Sequence, residues 1–433
     1  MTVIDLGERR DVDGAADPGP GRFLRRWSPA LVALLCLATS AAAAPWPAQP
    51  PGTTVPAGPD ASALFVDGVL LVAEPSGPGA VPDGDPVSRL AAHRLPSGRP
   101  LWRVPLPAPG RVFHAVRVGD LLAVGLAGDR AAPQVVGLAL GDGGVRWRVE
   151  GQLRGATAAG HLLLSGSAGS AASVLRSVDP ATGAVRWSQP LALEDAHLSR
   201  QDQRIRLLTV LAGGRLEVRD PDTGAARAAT AVPGRSRVLT VTEELVLLTD
   251  ASGALSGYEI PTLRRRWSVP RGPADQPDVF DCGVLICFDD GSPATRLLDP
   301  ATGTVRWRSG NAALGPVAVE GRLLAVRRSS GGAAEHVLLD AATGRPVRHL
   351  GRWRAGAPGM LSADGTTLHR RQRDGRYLVG RIDERGEGVR VLAALRGVVG
   401  ECGTHGSYVA CRREGGGFGV WELPGDRDRK GRA

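Results

Sequence analysis

The sequence predicts an all-β propeller, and three observations carry that expectation. A short phrase recurs along the chain every 39 to 45 residues, the spacing at which an internal repeat signals a propeller or a solenoid. Between its copies, short Leu and Val runs alternate with turn residues, and 59 Gly with 33 Pro are too many for long helices. With 42% hydrophobic and 22% charged residues, the 433-residue chain can bury enough apolar surface to offset its conformational entropy, which excludes disorder throughout.

The first element is N-terminal. No charge occurs between Arg26 and Asp60, and Pro29 to Ala44 is a run of small and apolar residues. As a helix, Ser28 to Pro45 rises about 27 Å, close to the thickness of a bilayer's hydrocarbon core. Arg22, Arg25 and Arg26 precede it and no basic residue follows before Arg89, so the amino end is expected in the cytoplasm and the rest outside. The Ala run before Pro45 resembles a signal-peptidase site. The 26 residues ahead of the run include Asp5, Glu8, Asp11, Asp13 and Asp17, which favours a retained anchor over a cleaved signal. Cys36 follows Leu35, where a lipobox requires a small residue, and reads as a membrane-buried thiol. The expected organisation is a cytoplasmic tail (1–27), an anchor or signal segment (28–45), a Pro-rich linker (46–60), the propeller (61–424) and a basic tail (425–433). The linker is expected to be an extended spacer whose shortening leaves the propeller's stability unchanged.

The repeats come next. Asp179 to Trp187 reads DPATGAVRW and Asp299 to Trp307 reads DPATGTVRW, with weaker copies ending at Trp102, Trp147 and Trp267. Three further copies lose the Trp, at Ala228, Arg348 and Val391. Each period holds a short strand, a tight turn such as Asp67-Gly68, a second strand, a third ending at the Asp, then the Gly turn and the Trp strand. Four strands per unit follow, with Asp-Gly a strong hairpin signal. The Asp and Thr oxygens can accept from nearby amides while Gly takes a left-handed conformation. The Trp can then lie flat against the neighbouring blade's turn with its N–H partnered. Eight full units end near Val391 and a group of three strands follows, so eight blades are expected, with seven to nine open.

These phrases resemble the tryptophan-docking repeats of the PQQ-type β-propellers. Asp179, Thr182, Gly183 and Trp187, and Asp299, Thr302, Gly303 and Trp307, match the hallmark best; Trp102, Trp147 and Trp267 extend it. The resemblance covers roughly 61–424 and implies a fold rather than a function. One branch, the quinoprotein alcohol dehydrogenases, implies calcium and quinone held by Glu, Asn and Asp, with adjacent cysteines and a catalytic Asp. This chain has no adjacent cysteines, and its only Asn, Asn311, has no acidic neighbour, so no catalytic, cofactor or metal residue carries over and no cofactor is expected. The other branch comprises non-enzymatic scaffolds similar to the outer-membrane-protein assembly lipoprotein. It implies protein partners in the cell envelope, with a helix in place of the lipid tether; a PQQ-dependent dehydrogenase-like or a ligand-sensing propeller is the alternative.

The remaining features read as structural. Cys282, Cys287, Cys402 and Cys411 allow three connectivities; each local pair brackets one predicted hairpin, so 282–287 and 402–411 are the expected disulfides of an exported domain. Spacings of five and nine without a companion His fit no zinc template. The eight His form no metal-binding motif, Asp289 and Asp290 read as solvated loop residues, and the Arg that precedes Trp in several repeats reads as bracing for the ring. Of the 53 basic residues 52 are dispersed Arg, and aromatics are 4%, so a nucleic-acid partner is not expected. The Trp-less sectors read as tolerated degeneration, with a partner-facing sector as the alternative.

Overall fold

The computed structural model describes residues 47–424, apart from 76–86, 128–131, 169–171, 202–203, 271, 273–276, 292–293, 311, 320, 329–333, 356–366 and 384. The expected cytoplasmic tail, the 28–45 segment, Asn311 and the basic tail lie outside these residues. Among the described residues every regular element is a strand, and no helix is long and apolar enough to cross a membrane.

Seven four-stranded sheets and one seven-stranded sheet make up the unit Pro47–Ala433. In the seven-stranded sheet, the strand Arg99–Val118 is shared: its first half pairs with Val87–Arg94 and its second half with Leu121–Ala127. It is the outer strand of blade 1 and the inner strand of blade 2, which gives nine blades where eight were expected. The ninth consists of Val398–His405, Tyr408–Arg413 and Phe418–Glu422, completed by Gly52–Val55. Gly52 lies opposite Trp421 and Val55 opposite Phe418. The Pro-rich segment is therefore not merely a spacer: its Gly-Thr-Thr-Val stretch has β-forming residues and closes the ring.

Packing confirms the closure. Nine apolar clusters each join two consecutive blades. The first joins Leu71 and Trp102 of blade 1 to Leu122 and Val136 of blade 2. The last joins Ala63, Phe65 and Leu70 of blade 1 to Ala410, Phe418 and Val420 of blade 9. Second strands are covered on both faces, which is why they read as unbroken apolar runs: Leu162, Leu163 and Leu164 are fully buried. Asp67 (φ 23°) and Gly68 (φ 80°) both have positive φ, as their tight hairpin requires. Disulfides 282–287 and 402–411 form, each linking the first and second strands of one blade.

Candidate functional site

Two features could serve a function: the belt of docking turns around the ring and the channel toward which the first strands converge. The belt starts from the Asp turn. Asp179 Oδ1 accepts the amides of Ala181 and Thr182 and the Thr182 hydroxyl, each at 3.0 Å. These donors, led by the Thr182 amide, hold the Asp179 carboxyl below its usual range. Asp299 accepts from Ala301 (2.8 Å) and Thr302 (3.1 Å) in the same way, and Gly183 (φ 72°) and Gly303 (φ 69°) are left-handed.

The repeated Arg is explained by this turn. Arg306 pairs with Asp299 at 2.6 Å, Arg227 with Asp220 at 2.6 Å and Arg266 with Glu259 at 2.8 Å. Arg186 approaches Asp179 at 3.8 Å. The Arg thus braces the acid seven residues before it. Arg227 is the main reason that the Asp220 carboxyl is lowered to about 2.

Each docking Trp reaches into the next blade. Trp102 Nε1 donates to Leu140 O, Trp147 to Pro180 O, Trp187 to Asp222 O and Trp267 to Pro300 O, all at 2.8 Å; Trp307 donates to Ala341 O at 2.9 Å. The rings lie on the turn glycines: a Cβ on Gly183 would sit 2.6 Å from Trp147, and one on Gly303 2.7 Å from Trp267. Where the Trp is lost, something else occupies its place. Opposite Ala228 the next turn carries Leu263 at the position of the glycine, left-handed (φ 55°) and fully buried. In blade 9, Thr53 faces Gly98. Between blades 7 and 8, Trp353 enters the core with Arg370 over its ring at 4.6 Å, and between blades 8 and 9 Trp421 does so.

One acidic residue departs from its expected setting. Asp289 is exposed, but Asp290 is buried and ion-paired with Arg296, which also lies over Phe288. It belongs to the blade rather than to a solvated loop.

The channel holds what the repeat alignment did not single out. A cavity of about 320 Å³ is lined by Phe65, Val66 and Asp67 of blade 1, His114 to Val116 of blade 2, Arg154 to Ala156 of blade 3, Leu198 and Ile205 of blade 4, and His405 of blade 9. His114 and Arg154 come from first strands whose register slips, at Val112/His114 and beside Arg154, so that an extra residue re-aims the chain. Arg154 Nε donates to Ser165 Oγ at 2.7 Å. Burial lowers the Arg154 pKa, opposed by the charge of Asp195. Asp195 spends its oxygens on the amides of Ala196 (2.8 Å) and Val238 (2.9 Å). His114 is pushed down by burial, and His197 by burial with Asp195 pulling up and Arg154 pushing further down, so both imidazoles are neutral at pH 7. At the rim His405 stacks on Phe65, centroids 6.0 Å apart, and lies 4.0 Å from Asp67. An alignment of first strands rather than of Trp phrases would have brought His114 and Arg154 forward. Among the described residues, no three His, Cys, Asp or Glu side chains are grouped to hold a metal ion.

The fold and its belt define a class: a β-propeller whose blades are locked by tryptophan docking onto Asp-x-x-Thr-Gly turns. Over part of its length the chain is similar to the PQQ-like β-propellers. A family model described as outer membrane protein assembly factor BamB matches residues 87–239. No curated protein matches the sequence. Similar solved structures include BamB from Moraxella catarrhalis, at 17% identity over 64% of this chain and 97% of that one, with a TM-score of 0.43. The computationally designed Ika8 protein is 13% identical over 72% of this chain and 96% of its own, TM-score 0.44. The dihydro-heme d1 dehydrogenase NirN in complex with DHE is 16% identical over 67% and 66%, TM-score 0.43.

Proposed function

We propose that this protein is a non-catalytic scaffold, tethered outside the cytoplasmic membrane by its 28–45 segment and presenting the ring to protein partners of the cell envelope. The observation that carries this reading is the match of blades 1 to 4 to a family described as an assembly factor. Two supports are physical. Both cysteine pairs of the ring are oxidised, which suits an exported domain, and the Arg cluster ahead of the uncharged 28–45 segment suits an amino end left inside. The acids and arginines that recur in the repeats are engaged in the docking turns, which fits a role in holding the ring.

The test is to purify the full chain in detergent and incubate it with calcium and PQQ, following quinone absorbance and alcohol oxidation. The scaffold reading expects no calcium-dependent, stoichiometric quinone uptake and no turnover. Uptake of both groups with turnover would replace it by a dehydrogenase.

A further inference from the structure

The channel cavity contains a cation with unused donors set against an apolar wall. Among the described residues the Arg154 guanidinium makes one hydrogen bond, through Nε to Ser165, and no ion pair. Asp195 acts on it through space, but its oxygens are engaged by the Ala196 and Val238 amides. His114 lines the same cavity without a hydrogen bond among the described residues. Val66, Val116, Leu198 and Ile205 line the rest. A half-buried guanidinium whose planar fork is unspent is suited to a carboxylate, which accepts two parallel N–H bonds. A cavity of about 320 Å³ is at the lower end of small-ligand sites, in which apolar walls surround a few placed polar groups.

We propose that this pocket binds a small monocarboxylate with an apolar body, its carboxylate on Arg154 and His114 and its hydrocarbon part against Val66, Val116, Leu198 and Ile205. Asp67 at the rim and Asp195 behind Arg154 disfavour a second negative charge, so a single anionic group with a hydrocarbon tail fits better than a multiply charged oxyanion. The site is independent of the scaffold reading: a scaffold without a ligand, or a ligand-binding ring without a partner, would separate the two.

Isothermal titration of the full-length protein with sodium hexanoate, 1-hexanol, hexylamine and inorganic phosphate tests this. Hexanoate should bind with 1:1 stoichiometry, and the alcohol, the amine and phosphate at least about tenfold more weakly, the scale of a charge-assisted hydrogen bond. Arg154→Ala should weaken hexanoate at least about tenfold. Ile205→Trp, which fills the apolar half and leaves the guanidinium in place, should also abolish binding and serves if Arg154→Ala does not fold. Absence of hexanoate binding, equal binding of the alcohol or of phosphate, or affinity unchanged in Ile205→Trp would each overturn the proposal.

Discussion

Trp267 lies between Gly257 of its own blade and Gly303 of the next, so an added Cβ on either glycine would be 2.6 or 2.7 Å from the indole. It is 7% exposed and its N–H is partnered. Trp267→Ala should cost about 3–5 kcal/mol, as expected for removing a buried aromatic ring, measured by urea denaturation. Half-buried Trp187 should cost less. Leu263 permits a sharper test. A left-handed Leu costs about 1–2 kcal/mol, offset here by burial where a docking ring would lie. Ala228→Trp and Leu263→Gly should each destabilise, and the double variant should recover about 1–3 kcal/mol relative to their sum; simple additivity would show that the two positions do not share one space. The docking pairs were legible because the same phrase repeats nearly intact. Leu263 was not, because a Leu in a glycine's place reads as decay until its packing partner is known.

His369 sets a pH dependence at the same scale. Burial first, then Arg354 and His336, lower its pKa from 6.5 to about 4. The folded state therefore holds it neutral while the unfolded chain protonates it near pH 6.5. Its contribution is full above that value and is lost as pH falls toward 4, a loss of up to about 3 kcal/mol. Denaturation at pH 7 and pH 4.5 should show that loss, and His369→Gln should flatten it.

At the scale of the element, the decisive strand is Gly52–Val55. Its Val55 is fully buried and Trp421 packs against Gly52. Arg412 binds the Gly58 and Ala61 carbonyls, Arg413 bonds Thr54 at 2.6 Å, and the Arg396 amide donates to Gln49 at 3.2 Å. A chain beginning at Pro56 should lose at least about 3 kcal/mol relative to one beginning at Pro47, since the buried Val55, the cover of Trp421 and the strand's ladder are removed together. Unchanged stability would return the segment to a spacer. This strand was hidden because it lies more than 360 residues from its partners and is framed by prolines, whereas the other blades' strands are sequence neighbours. Disulfides were legible because each spans one hairpin; opening 282–287 alone should cost about 2 kcal/mol by loop-closure entropy, read from the denaturation midpoint of Cys282→Ala/Cys287→Ala.

For the whole molecule, nine interfaces close one ring, and the same geometry leaves apolar side chains around the surface. Val145, Val185, Val284, Val305, Val347 and Val399 are 40–61% exposed, isolated positions that are ordinary singly and fall on five of the nine blades. The blade count could not be read from the sequence, because the last unit shows three strands in order and its fourth stands at the other end of the chain. Function was less legible still: docking residues specify the ring, while a partner surface need leave no repeated mark. The most direct measurement is therefore photocrosslinking in living cells, with a photoreactive residue placed singly at each of these six positions in the full chain. The scaffold account predicts a discrete adduct with an envelope protein from one sector of neighbouring blades. Folded protein that yields no adduct from any of the six positions would contradict it.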